Sequence, residues 1–254
     1  MARLVNLEIL TFFLGIGHSI VTQILKKEPT AKVVGVSRSE EPLKQLASEY
    51  PERFVYVAGD LLNDDTSKEV IKKTIDTFGH IHGVVLNAGV LEPVASIADA
   101  NIDDWKKLYE INVLSPLSLA SKAIPYLRFT SGRLVFVSSG ASVSNYRGWG
   151  AYGSSKAAIN HLAASIAAEE PGLFSISIAP GVVDTDMQVQ IREKHKPNMS
   201  EENHKKFTTL KETGQLLPAH VPAAVLANLA LYGQGDDING KYLRYNALEL
   251  DSYK

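Results

Sequence analysis

The chain has 254 residues, 45% of them hydrophobic and 21% charged, with a net charge of -2, which is long enough to bury one α/β core without a second domain. Charges of both signs are interspersed, leaving no basic stripe for nucleic acid and no polybasic membrane patch, so small-molecule partners are expected. The absence of Cys excludes disulfides and cysteine-metal sites and is compatible with a reducing, cytoplasmic location.

Residues 4–17 are apolar enough to be mistaken for a signal sequence. Glu8 interrupts that run, only Arg3 precedes it and no clean small-x-small cleavage site follows, so it reads as a buried first strand. Beyond Gly17, the residues Ile20, Val21, Ile24 and Leu25 share one face of a helix. Lys32 to Arg38 is a short buried strand, Glu40 to Tyr50 a helix and Arg53 to Asp60 a third strand. Ser67 to Phe78 follows as a helix, and Gly83 to Gly89 as a strand ending in a tight turn. Asp104 opens a long helix that contains Asn112, a weak helix former with no obvious reason to be inside.

Leu134 to Ser139 is an apolar run ending in hydroxyls, Ala157 to Glu169 an alanine-dense helix and Leu173 to Gly181 a sixth strand. Residues 186–215 are polar and weakly periodic, as expected of a mobile helical lid over a substrate. Val221 to Leu231 restores a helix and Gly240 to Tyr245 supplies the last strand. This alternation requires a single Rossmann-type, doubly wound parallel sheet of about seven strands with helices on both faces and right-handed crossovers. Ligands bind at the carboxyl ends of such strands, and Arg38, Asp60, Asn87, Ser139 and Pro180 all fall there.

Arg38, with no Asp or Glu at the end of its strand, argues for NADP(H) over NAD, because that position meets the adenosine ribose and an Arg accommodates a 2'-phosphate. The alternative is a solvated Arg capping a strand. Asp60 is a candidate cap for the following helix. His80-Ile-His82 lacks a third ligand nearby and reads as a surface turn; Asn198-Met-Ser200 is a glycosylation triplet by spelling only.

The chemistry concentrates in residues 136–156, where Ser139 is followed thirteen residues later by Tyr152 and then by Lys156. A ketone that accepts hydride becomes an alkoxide, so some group must hand its oxygen a proton. A phenol is a poor acid at neutral pH, with a reference pKa of about 10. On one helix the i,i+4 spacing stacks Tyr152 and Lys156 on one face, so that the ammonium favours the phenolate. Matching the acid to neutral pH asks roughly 3 to 4 kcal/mol of the site. Ser139, at the end of the preceding strand, is placed to hydrogen-bond the substrate oxygen.

A Ser followed at this spacing by Tyr-x-x-x-Lys resembles the short-chain dehydrogenase/reductase family, and the resemblance extends from about Gly15 to Tyr245. It implies Tyr152 as general acid, Ser139 orienting the carbonyl, and Lys156 both lowering the Tyr pKa and holding the nicotinamide ribose. Asn112, forty residues before Tyr152, corresponds to the family's Asn, which holds a water that relays the proton. Asn87-Ala88-Gly89 matches the family's Asn-Ala-Gly signature lining the cofactor cleft, and the resemblance implies that Asp60 meets the adenine, with helix capping as the equal alternative. Pro180-Gly181 and Thr185 match its nicotinamide turn, with the main chain at Val183 and the Thr185 hydroxyl holding the carboxamide.

The family's first strand ends in Thr-Gly-x-x-x-Gly-x-Gly, of which Gly15-Ile16-Gly17 survives to meet the pyrophosphate. Thr11 holds the place of the first Gly, and Phe12-Phe13-Leu14 replace small and basic residues. Those bulky side chains either weaken cofactor binding or reflect a mis-joined first exon in the deduced sequence.

The family resemblance also implies a homodimer or homotetramer, joined through the Asp104 helix and the alanine-dense helix, although dense alanine equally serves helix-on-sheet packing. Val90 to Pro93, Ala141 to Trp149, the lid and Asn239 to Asn246 look most like the fungal sepiapterin- and benzil-type reductases. That implies NADPH-dependent reduction of a ketone or vicinal dicarbonyl. The competing class is a catalytically silent, nucleotide-sensing or scaffold protein, supported by the damaged glycine turn. A serine hydrolase lacks its Gly-x-Ser-x-Gly elbow.

Overall fold

The computed structural model describes residues 8–12 and 15–254. Seven parallel strands form one sheet: β1 (Glu8–Phe12), β2 (Lys32–Ser37), β3 (Phe54–Ala58), β4 (Gly83–Leu86), β5 (Arg133–Val137), β6 (Phe174–Ala179) and β7 (Tyr242–Arg244). Their spatial order is β3-β2-β1-β4-β5-β6-β7, so the chain reverses its winding between β1 and β4. A crevice opens at the carboxyl ends of strands at such a switch point. The interior strands β2, β4, β5 and β6 are rich in β-branched residues and almost wholly buried, the pattern of a sheet covered on both faces.

One face carries α1 (Ile16–Lys27), α2 (Glu40–Glu49) and α9 (His220–Tyr232); the other carries α3 (Asp64–Phe78), α5 (Ser115–Leu127) and α6 (Gly150–Glu169). The four residues predicted for the inner face of α1 are all buried, in one core with Val135, Ile176 and the apolar residues of α9. The opposite core centres on Phe136, Leu134, Leu119 and Ile159. Each fully buried aliphatic or Phe side chain stabilises the fold by about 1.5 to 3 kcal/mol.

Local signals set the ends of these helices. Asn63 caps α3 by accepting from the Asp65 amide, Asp64 and Asp65 sit in its first turn, and Gly79 closes it in the left-handed region. The cap is therefore Asn63 rather than Asp60, whose carboxylate instead accepts from the Leu62 amide at 3.0 Å.

The long helix expected from Asp104 is broken by chemistry. Between α4 (Ile102–Tyr109) and α5 lies a π-helical turn over Glu110–Leu114. Pro116 has no N–H to close an α-turn on the Asn112 carbonyl, so the ladder is re-phased there.

Residues 186–215 form α7 (Asp186–Glu193) and α8 (Glu201–Glu212). Ile191, Met199 and Phe207 of this segment are buried with Leu91, Val94, Leu108, Trp149 and Tyr152 in a third core. The lid is thus a packed helical pair in this structure. Dense alanine in α6 also has an intrachain use: the turn at Gly240 lies against Ala164 and Ala167. Among the described residues no helix is long and apolar enough to cross a membrane, and no cluster of His, Cys, Asp or Glu could hold a metal ion.

Candidate active site

Ser139 follows β5, where it caps a short 3-10 turn over Gly140–Ser142. Its hydroxyl accepts from the Ala141 amide at 3.1 Å, so one lone pair is taken and the O–H is left to donate. Its carbonyl accepts from the Ser142 hydroxyl at 2.7 Å and the Tyr242 hydroxyl at 3.2 Å. Asn160 ties both neighbours, accepting from the Ser138 hydroxyl at 2.6 Å and donating to Ser142 at 2.9 Å. This bracing was not anticipated, although Asn160 lies one turn beyond Lys156 on the same helix.

α6 begins at Gly150, seven residues before the expected start, and so includes Tyr152 and Lys156 on one face. Both are buried, at 7% and 4% exposure. The Lys156 ammonium donates to the Val137 carbonyl at 2.8 Å and sits 6.0 Å from the centroid of the Tyr152 ring. The direction of the Tyr152 shift corrects the sequence expectation. Burial raises the phenol above its ordinary value, an effect the Ser139 hydroxyl only partly offsets. Withdrawal from water sets this direction in the ligand-free chain, and the phenol keeps its proton at neutral pH.

Burial also lowers Lys156 from 10.5 to about 8. Below pH 8 the lysine is charged in both folded and unfolded chains, and the fold carries the desolvation cost. Between 8 and 10.5 the unfolded chain holds a proton that the folded chain has released, so stability rises with pH across that window and is level above it. The unfolding free energy of the wild type is expected to climb by about 3 kcal/mol relative to Lys156→Met across that window. Urea titrations at the two ends check this, and an unchanged difference would contradict it.

Asn112 is fully buried in the π turn. Its side chain pairs with both backbone groups of Val90, at 2.8 and 2.9 Å, and donates to the Ser155 hydroxyl at 3.1 Å. The turn after β4 is thereby clamped to α6. Gly89 lies so close to the end of the Lys156 side chain that a Cβ there would be 3.0 Å from its Nζ, and a larger residue would have to displace the ammonium. Asn87 and Ala88, partly buried, precede it at the sheet edge.

Gly15 is the N-cap of α1, with φ of 56° and no side-chain cap bond. A Cβ on Gly15 would meet only the Thr185 Cγ2, at 3.8 Å, so Gly15 and Thr185 face one another beside Ile16 and Gly17. A helix start at the switch point whose N-cap is a glycine, so that no side chain of its own occupies the cap, fits a cofactor diphosphate. Of the three bulky residues, Phe13 and Leu14 lie outside the described residues.

After β6, Pro180 and Gly181 lead to the buried Val183, which bridges to Leu217. The Thr185 hydroxyl donates to the Val183 carbonyl at 3.3 Å. Arg38 is exposed just past β2 and makes no ion pair among the described residues; Asp60 is exposed just past β3. One sheet edge thus carries Gly15, Ile16, Gly17, Asn87, Ala88, Gly89, Ser139, Pro180, Gly181, Val183 and Thr185, with Arg38 and Asp60 toward the β3 side.

Above Tyr152 lies an aromatic cluster that sequence reading located only in part. Trp149 stacks on Tyr146 at 4.7 Å and on Phe207 of α8 at 5.5 Å, and stands perpendicular to the Tyr152 ring at 5.9 Å. The Lys206 ammonium covers Tyr146 at 5.2 Å and donates to its hydroxyl at 3.1 Å. Glu92, in the loop after β4, pairs with Lys194 and lies 3.2 Å from the buried His195, which ties the lid to that loop.

Residues 10–196 match the family model described as short chain dehydrogenase. The chain is similar to a solved short chain dehydrogenase/reductase of Saccharomyces cerevisiae, YIR035C, with 47% identity, a TM-score of 0.96, and coverage of 98% of this chain and 99% of that one. A second solved S. cerevisiae structure, described as a cytoplasmic protein with unknown function, has 46% identity and a TM-score of 0.84 over 98% of this chain and 99% of that one. The benzil reductase ((S)-benzoin forming) of S. cerevisiae is 44% identical over 242 residues, 91% of this chain and 92% of that one.

Proposed function

The chain belongs to the short-chain dehydrogenase family, a family of NAD(P)(H)-dependent oxidoreductases, and from that premise we propose that it reduces a ketone or vicinal dicarbonyl to the alcohol with NADPH. The observation that carries this reading is the buried grouping of Ser139, Tyr152 and Lys156 at the carboxyl edge of the sheet. When bound, the reduced nicotinamide supplies the hydride to the carbonyl carbon. The Ser139 hydroxyl, which hydrogen-bonds Tyr152 in the ligand-free chain, turns its O–H to the carbonyl oxygen and orients it. Tyr152, held protonated by burial, gives its proton to that oxygen, so the C=O becomes CH–OH.

Lys156 stabilises the phenolate as it forms and is the group nearest Gly89 for holding the nicotinamide ribose. The Asn112 side chain is spent on Val90 and Ser155, so its part in a proton relay falls to the main-chain carbonyl that Pro116 does not engage. Gly15 to Gly17 and Asn87 to Gly89 line the diphosphate side of the cleft; Pro180, Gly181, Val183 and Thr185 line the nicotinamide side. Arg38 meets the 2'-phosphate and Asp60 the adenine. A vicinal dicarbonyl is favoured by the similarity to a benzil reductase and by the aromatic cluster over Tyr152. The assembly is read as a homodimer or homotetramer, and the location as cytoplasmic, as the second yeast relative is described.

The test is titration with NADPH followed by addition of benzil. Saturable micromolar binding with formation of benzoin is expected. The silent-fold alternative rests on Phe12-Phe13-Leu14 at the glycine turn and predicts no saturable binding.

A further inference from the structure

Trp149 immediately precedes α6, and its indole is 6% exposed. Its Nε1 is shut off from solvent and has no hydrogen-bond partner among the described residues. Buried donors are almost always paired, so an orphaned N–H beside a candidate active site asks for an acceptor that arrives with a ligand. The ring that bears it stands perpendicular to Tyr152 at 5.9 Å and packs against residues of two elements, Tyr146 of the loop before α6 and Phe207 of the lid helix, which are themselves 6.0 Å apart. Those contacts fix the indole plane, so the direction of its N–H is preset.

A monoketone offers one oxygen, which the Tyr152 and Ser139 hydroxyls already claim. A vicinal dicarbonyl carries a second oxygen one bond further on and does not reduce it in the same turnover. The aromatic surroundings of the indole, Tyr146, Phe207 and Tyr152, suit an aryl substituent on that second carbon.

We propose that the Trp149 indole N–H is the binding group for the second, unreduced carbonyl oxygen of an aryl vicinal dicarbonyl. The proposal rests on the carbonyl-reductase reading of the same site and assigns its substrate selectivity to one atom. It makes Trp149 a specificity determinant: hydride and proton go to the first carbonyl, and the second remains a ketone held by the indole.

Trp149→Phe keeps an aromatic ring and removes the donor. The probes are benzil and deoxybenzoin, its analogue with one carbonyl replaced by CH2. Dissociation constants are measured by calorimetry on the NADP-loaded protein, and kcat/KM by NADPH consumption. The wild type is expected to bind benzil more tightly than deoxybenzoin. The substitution is expected to weaken benzil binding and kcat/KM about ten- to a hundredfold more than it weakens those for deoxybenzoin.

Equal losses on both ligands, as expected if the N–H serves only the face of the Tyr152 ring, would overturn the assignment. So would a wild type that binds deoxybenzoin as tightly as benzil, a comparison that does not depend on the variant folding. Selective weakening of benzil binding without turnover of either ligand would uphold the indole subsite and refute the reductase reading, which keeps the two claims separable.

Discussion

Tyr152→Phe is expected to leave NADPH binding within about twofold of the wild type and to lower turnover of benzil by roughly a hundredfold or more, since general acid catalysis contributes on that scale. The substitution removes one oxygen from a buried ring and leaves the edge contact with Trp149 intact. Burial keeps the phenol protonated, so in the wild type the acid form is present throughout the neutral range. Its conversion to phenolate is needed only as charge develops on the substrate oxygen, where the Lys156 ammonium can act. Stopped-flow NADPH oxidation and a fluorescence titration check the two halves separately. Near-normal turnover would remove Tyr152 from the mechanism.

Arg38→Asp carries the second large effect. Arg38 lies exposed beyond β2 with no carboxylate partner among the described residues, so its guanidinium is available to a phosphate and no folded-state ion pair is lost on substitution. Charge-assisted hydrogen bonds to a phosphate contribute about 1.5 to 3 kcal/mol, and an Asp adds repulsion while offering the ribose 2'-hydroxyl an acceptor. The ratio of kcat/KM for NADPH to that for NADH is expected to fall by about a hundredfold. An unchanged ratio would show that Arg38 never meets the 2'-phosphate and would return it to the role of a solvated strand-end residue.

The fold was legible because buried parallel strands write themselves as short β-branched runs. Val33 to Val36 and Leu134 to Val137 needed no tertiary information. The Tyr152 and Lys156 spacing was equally plain. What escaped the sequence depended on distance or depth. The stack of Phe207 on Trp149 joins residues 58 positions apart by number, and nothing local to either announces the other.

The lid looked aperiodic because polar Gln188 and His195 occupy buried positions among its apolar anchors Ile191, Met199 and Phe207. The sign of the Tyr152 shift follows from how completely the ring is buried, which i,i+4 spacing does not report. Pro116, by contrast, was in plain view as a helix interrupter, and its effect on the Asn112 backbone could have been read from chain position alone.

The most direct measurement is the distance from the Tyr152 Oη to the carbinol oxygen in a crystal structure with NADP and benzoin bound. Direct proton donation requires the two oxygens within hydrogen-bond reach, about 2.6 to 3.2 Å, with the Ser139 hydroxyl on the same oxygen. A carbinol oxygen seated elsewhere, with the phenol facing away from it, would contradict the assignment of Tyr152 as the acid.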